Sequence, residues 1–383
     1  MKQYNGYRKI HEIGIGPDNP RNSEGDFIRL KDGRIMFVYS RYTGKTWDDG
    51  AACDLAAIYS SDNGETWTSE PRILIRASEY GEKNVMSVTL IRMLDGEIGL
   101  FYELKKNVEG SSIVYLARSR DEGETFYERK PIIGVKRYGY PVLNNCRVLR
   151  CQSGRLIVPT AYHMLLKVDE DTALPDGATD WGGTEYESDP VSRIYCYYSD
   201  DDGRTWKESE NSLGININGL RRNRHTLQEP GVIEIKPGII YLYMRSYSGY
   251  QFESFSVDNG VTWTEVQQSQ FTSPPSPLKI VKNPKKEEYY AVWNPVPIYN
   301  GRFAGKMKAD YGWGRTPLVI AKSPDCLRFG TPEIIEHDET EEHGYCYPAL
   351  FFCDDDTMLI SYCSGGKDEG ACLCKTTIGK ISV

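Results

Sequence analysis

The acidic run Asp200-Asp201-Asp202-Gly203 invites a calcium reading, because closely spaced carboxylates on a loop are what a hard cation takes. An EF-hand loop needs Gly sixth, oxygen ligands at its first, third and fifth positions, and Glu twelfth. With Gly203 sixth, Tyr198 falls first, and the reading fails. Zinc fares no better: Cys372-Leu-Cys374 has neither metal-site spacing nor His partners, and the ten cysteines read as reduced thiols in strands. No metal and no cofactor is expected. A different set is Asn144-Asn145-Cys146-Arg147, with His163 after Val-Pro-Thr-Ala-Tyr and Arg224-His225 shortly before Glu229. Amide, guanidinium and imidazole groups suit hydrogen bonds to a polar ligand, and His163 and His225 serve equally well as structural hydrogen-bonding residues.

The elements that must position such groups announce themselves by repetition. Ser60-Ser-Asp-Asn-Gly-Glu-Thr-Trp67, Ser119-Arg-Asp-Glu-Gly-Glu-Thr-Phe126, Ser199-Asp-Asp-Asp-Gly-Arg-Thr-Trp206 and Ser256-Val-Asp-Asn-Gly-Val-Thr-Trp263 are copies of one box, and Ser323-Pro-Asp-Cys-Leu-Arg-Phe329 is a worn fifth. Each reads as a tight hairpin turn. The Asp carboxylate accepts backbone N–H bonds, Gly takes positive φ, and Thr-Trp resumes the strand with the aromatic tucked beneath. A second repeat, a turn running into an apolar strand, begins at Asp32, Asp95, Ser153, Pro237, Glu288 and Asp356. Six four-stranded units closing in a ring would hide their edges and bury their faces, which predicts an all-β, six-bladed β-propeller spanning residues 1–383 as one domain, with a polar axial site. The strand at 373–381, or the opening Tyr7-Arg-Lys-Ile-His, is expected to complete a shared blade. A polar, Gly/Asp-rich insertion at about 164–192 suits a loop over the rim of the site.

Composition agrees with many short strands: 12% of residues are aromatic, with 27 Tyr, 36 Gly and 20 Pro. A net charge of −8 argues against a nucleic-acid partner, and Lys282-Asn-Pro-Lys-Lys286 reads as a solvated hairpin tip. No stretch approaches the roughly 18 apolar residues of a membrane helix, and the N-terminus has no apolar export core. These features lead to the expectation of a soluble cytoplasmic protein.

The boxes resemble the Asp-boxes of the sialidase-type β-propellers, and the resemblance extends to single residues. Gln228-Glu-Pro-Gly leading to Arg245 resembles the family stretch with an essential Glu before Pro and an Arg closing the next strand, matching Glu229 and Arg245. Trp293-Asn-Pro followed by Gly314-Arg315 is similar to the next landmark, matching Arg315. Tyr347-Pro-Ala-Leu350 is similar to Tyr-Ser-x-Leu, whose Tyr is the nucleophile; Tyr347 matches, with Tyr345 as the fallback. Counting back from the first box places the acid/base at Asp49, with Asp48 the alternative and Asp54 the second family Asp, and Arg41 falls where the family has a substrate-contacting Arg. The resemblance implies a retaining exo-glycosidase for terminal sialic acid or a related acidic sugar. Glu229 would draw the proton of Tyr347, Arg245 and Arg315 would clamp the substrate carboxylate bidentately, and Asp49 would stay protonated to serve the leaving oxygen.

One departure stands out. The family's first carboxylate-binding Arg falls near Ser23 and Glu24 here, and the late Glu that supports it is replaced by Ser361-Tyr-Cys-Ser. Arg21, two residues away, or Arg147, across the ring, would have to fill the gap, or the substrate differs; one lost bidentate contact costs on the order of 2 kcal/mol of binding. A uronate-directed hydrolase or lyase is the alternative within enzymes. A glycan-binding propeller without turnover is the alternative outside them.

Overall fold

The computed structural model describes residues 1–106, 111–134, 139–167, 186–215, 226–296 and 312–383. Most of the expected rim insertion, and Arg224 with His225, lie outside the described residues. After an opening strand β1 (Tyr7–Ile13), the chain runs as consecutive antiparallel meanders. The first is β2 (Asn22–Arg29), β3 (Ile35–Tyr42), β4 (Cys53–Ser60) and β5 (Arg72–Ile75), and the second is β6 (Asn84–Arg92), β7 (Ile98–Lys105), β8 (Ser112–Ser119) and β9 (Tyr127–Ile133). Next come β10 (Gly139–Val142), β11 (Leu149–Arg150), β12 (Leu156–Lys167), β13 (Tyr186–Ser199) and β14 (Lys207–Glu208) in one sheet. They are followed by β15 (Leu227–Lys236), β16 (Ile239–Ser246), β17 (Tyr250–Ser256) and β18 (Gln267–Thr272), then β19 (Lys279–Lys282), β20 (Tyr289–Trp293), β21 (Leu318–Ser323) and β22 (Glu333–Glu336). The last sheet takes β23 (Gly344–Phe352), β24 (Thr357–Gly365) and β25 (Lys375–Ser382), with β1 added along β25 in the register Tyr7 to Ile381. Both the opening and the final strand therefore complete one sheet. Outside the strands, the described residues hold a single 3-10 turn, Ala77–Tyr80, and no α-helix.

The arrangement is all-β and propeller-like, and its hydrogen bonding departs from the expectation of six separate blades. Four sheets stand alone, while a parallel bridge from Cys53 to Asn84 merges the first two meanders into one eight-stranded sheet. Apolar layers lie between successive meanders. Period-2 alternation supplies two buried faces per strand: Met36 and Val38 pack towards Val85, Leu100 and Tyr102, while Ile35, Phe37 and Tyr39 pack towards Ala349, Leu359 and Ile378 of the last sheet. The first meander is thus sandwiched between the second and the last.

The boxes fold as turns at the ends of β4, β8, β13 and β17. In the first, Asp62 accepts the Thr66 N–H at 2.8 Å and the Thr66 hydroxyl at 2.5 Å, Ser60 Oγ accepts the Gly64 N–H at 2.8 Å, and the Trp67 indole donates to the Gly64 carbonyl at 3.2 Å. The copies at Asp121, Asp201 and Asp258 repeat the Asp–Thr bonds. In the worn copy Asp325 accepts from the Leu327 and Arg328 amides instead.

Candidate functional site

A local irregularity shared by the innermost strands builds the site. The pairing register slips between Ser23 and Asp26 in β2, Met86 and Thr89 in β6, Gln228 and Gly231 in β15, and Cys346 and Ala349 in β23. Within each slip one non-glycine residue takes positive φ: Glu24 (54°), Ser87 (58°), Glu229 (45°) and Tyr347 (53°). Such a bulge bends the strand and re-aims one side chain, at a conformational cost typical of functional positions. Close packing helps to hold the bulges: a Cβ on Gly25 would lie 2.2 Å from the Phe37 ring, and one on Gly231 would lie 2.3 Å from the Tyr243 ring.

Three of the residues expected from sequence meet directly. Tyr347 Oη donates to Glu229 Oε1 at 2.7 Å, Arg245 Nη1 donates to the same Oε1 at 2.5 Å, and Arg245 Nη1 also reaches Tyr347 Oη at 3.4 Å. Arg315 joins them with its guanidinium 5.4 Å from the centroid of the Tyr347 ring and 5.0 Å from that of Trp313. All four side chains are buried. Burial and the Glu229 carboxylate push the Tyr347 hydroxyl well above its ordinary value, against the pull of Arg245 and Arg315, so the resting phenol is neutral. Burial opposes the charge on Arg245, and Glu229 more than restores it. Arg315 Nη1 donates to Cys346 Sγ at 3.2 Å and Nη2 to the Pro275 carbonyl at 3.0 Å. Glu229 Oε2, Arg245 Nε and Arg315 Nε make no hydrogen bond among the described residues.

A second cluster centres on Arg21, which is buried and lies 4.4 Å from the centroid of the Tyr42 ring. It donates to Asp49 Oδ1 at 2.5 Å, Ser23 Oγ at 2.9 Å and the Trp47 carbonyl at 3.2 Å, and reaches Glu24 Oε1 at 3.5 Å. This corrects the expectation that Asp49 stays protonated. Burial raises its carboxyl, but Arg21 and Lys105 outweigh that and hold it well below the usual carboxylate range, and its side chain is 49% exposed. Asp48 is likewise exposed, whereas Asp54 pairs with Arg76 at 3.6 Å and accepts the Ala77 N–H, away from the centre.

The other expected contacts sort differently. Arg147 is buried, and its Nη1 donates to the Leu278 carbonyl at 2.6 Å and to Tyr243 Oη at 3.3 Å, while its Nε and Nη2 make no hydrogen bond among the described residues. Asn145 bridges the Gly25 carbonyl at 3.0 Å and the Tyr347 carbonyl at 3.5 Å, which fixes the two bulged strands relative to each other. His163 packs on Tyr140 with centroids 6.1 Å apart. Arg41 is half-buried near the end of β3, where its backbone pairs with Asn22 and Asp54. Tyr345 lies with its ring 6.1 Å from Tyr362, which leaves Tyr347 as the tyrosine bonded to Glu229.

Sequence reasoning missed Glu24, Lys105 and Glu103 as parts of this interior. Glu24 is 4% exposed, Lys105 donates to the Asp49 carbonyl at 2.9 Å, and burial pushes the Glu103 carboxyl up to about 7. A signal existed. Ser23, Met86, Gln228 and Cys346, each just before a bulge, pair with Ser40, Glu103, Arg245 and Cys363, so counting along the repeated strands puts Glu103 in the register of Arg245.

Residues 48–360 match the BNR repeat-like domain, and the chain belongs to that family. No curated protein matches it. Among solved structures it is similar to a protein of unknown function from Dyadobacter fermentans, at 16% identity and a TM-score of 0.69, covering 98% of this chain and 100% of that one. It is also similar to the NanB sialidase from Streptococcus pneumoniae, at 16% identity and a TM-score of 0.67 over 99% of this chain and 71% of that one. The intramolecular trans-sialidase from Ruminococcus gnavus aligns at 13% identity and a TM-score of 0.67, over 98% and 97% of the two chains. At such identities the likeness establishes a sialidase-like fold.

Proposed function

We propose that the protein is a retaining exo-glycosidase that removes a terminal acidic sugar, sialic acid or a close relative, through a covalent intermediate on Tyr347. The observation that carries this reading is the bond from Tyr347 to Glu229, with Arg245 on the same carboxylate oxygen. A phenol with a raised pKa is a poor nucleophile until its proton is drawn, and Glu229 lies where it can draw it. Arg245 and Arg315 then meet the substrate carboxylate, and the partnerless Arg245 Nε and Arg315 Nε are donors left for it. A pocket that only binds has no use for a nucleophile joined to its base. We also count the two meanders of the eight-stranded sheet as two blades, since a packed apolar layer separates them and one bridge joins them, which gives a six-bladed ring.

A second reading, another acidic sugar such as a uronate, is favoured by Glu24 at the bulge of β2, near which the sialidase resemblance would place an arginine. Release of methylumbelliferone from its N-acetylneuraminate glycoside, compared between native protein and Tyr347→Phe, tests the first reading. That leaving group departs without help from an acid, so an ionised Asp49 is no obstacle. Turnover that vanishes in Tyr347→Phe is expected. Turnover that persists in the variant would remove Tyr347 from the mechanism, and a folded native protein inert towards this glycoside but active on a glucuronide would establish the second reading.

A further inference from the structure

Glu24 occupies, in β2, the bulge position that Glu229 occupies in β15 and Tyr347 in β23. The three side chains share the interior: the charge on Glu229 acts on Glu24, and the charge on Glu24 acts on Tyr347. For a buried carboxyl, Glu24 is thinly supported. Ser87 Oγ donates to it at 3.3 Å, and Arg21 reaches it only at 3.5 Å because its shorter bonds go to Asp49 and Ser23.

The charged and titratable groups around it come from every neighbouring element. Arg21 precedes its own strand, Tyr42 ends β3, Asp49 lies on the following loop, and Cys53 begins β4. Lys105 comes from β7, Glu229 from β15, Tyr347 from β23 and Cys363 from β24. Burial, with Asp49 and Glu229, outweighs Arg21 and Lys105 and pushes the Glu24 carboxyl up to about 7.

We propose that Glu24 is a recognition residue of this pocket, which meets the acid group of the sugar as a neutral carboxylic acid and donates an O–H···O⁻ hydrogen bond to it. The inference rests on the acidic-sugar reading above. Short bonds of this kind are among the strong ones, and a carboxyl kept neutral by its surroundings is a known means of making them. Ionised, Glu24 would repel the ligand; protonated, it holds it. The acidic ligand therefore binds together with one proton, and its apparent affinity falls by about tenfold for each pH unit above the titration of Glu24.

The test is calorimetric titration with the 2,3-dehydro analogue of N-acetylneuraminic acid, and with glucuronate, at pH 6 and pH 8, in buffers of different ionisation enthalpy so that proton uptake is counted. Native protein should take up close to one proton per ligand at pH 8 and much less at pH 6. In Glu24→Gln, whose amide is a donor at every pH, uptake should disappear and affinity should change little between the two. Native binding at pH 8 without proton uptake overturns the proposal while leaving the glycosidase reading intact, and so does undiminished uptake in Glu24→Gln. Absence of binding by either ligand at either pH overturns both.

Discussion

At the scale of single residues, Glu229 has two partners at one oxygen. Oε1 accepts from both Tyr347 and Arg245, so the arginine that is to face the substrate also fixes the carboxylate that is to take the phenol's proton. Replacing that carboxylate by an amide keeps its shape and removes its basicity. Glu229→Gln is therefore expected to lower kcat by roughly 10²- to 10⁴-fold, the range of a general base, with a much smaller change in KM. Steady-state kinetics on the aryl glycoside check this, and an unchanged kcat would contradict it. The resemblance made Glu229, Arg245, Arg315 and Tyr347 legible because each has a distinctive neighbour: Glu before Pro-Gly, Arg closing a strand, Tyr before Pro-Ala. Asp49 was located by counting, but its ionised state was not, because its partner Arg21 lies 28 residues away and no sequence pattern pairs them.

At the scale of elements, boxes and bulges make opposite cases. A box is local: donor and acceptor lie within four residues of each other, so its turn was readable from the sequence. Truncating one should cost stability without touching the site. Asp201→Ala removes the acceptor of the Thr205 amide and hydroxyl and of the Ser199 hydroxyl, and is expected to destabilise the fold by about 1–3 kcal/mol in denaturant titration, with activity at permissive temperature unchanged. A box variant that loses turnover while still folded would show that the turns do more than close hairpins. The bulges were not readable, because a register slip is set by what the neighbouring strand pairs with, and the residues in them (Glu24, Ser87, Glu229, Tyr347) follow no single residue type. Glu24 was seen as a place where an arginine was lacking, not as a group with a role of its own. The bridge between Cys53 and Asn84 was equally silent in the sequence.

At the scale of the whole molecule, buried carboxyls couple stability to pH. Burial raises Glu24 to about 7, Asp26 to about 6 and Glu103 to about 7. For a carboxyl raised in the folded state, the stabilising contribution is complete below its ordinary value of about 4.5 and is lost as pH rises through its folded value. Glu103 gives the cleanest handle, since it lies outside the Tyr347–Glu229 pair. Native protein should lose stability relative to Glu103→Gln between pH 5 and pH 8, by on the order of 1–3 kcal/mol, read as a Tm gap that shifts in favour of the variant. A gap that stays constant would mean that Glu103 is ionised throughout.

The central claim, a covalent step on Tyr347, is tested most directly by incubating the native protein with 2,3-difluorosialic acid and locating the label by peptide mass spectrometry. One glycosyl adduct per chain, on the peptide carrying Tyr347 and absent from Tyr347→Phe, is the result predicted. An adduct on any other residue, or a protein that turns over a sialoside yet takes no label, would contradict it.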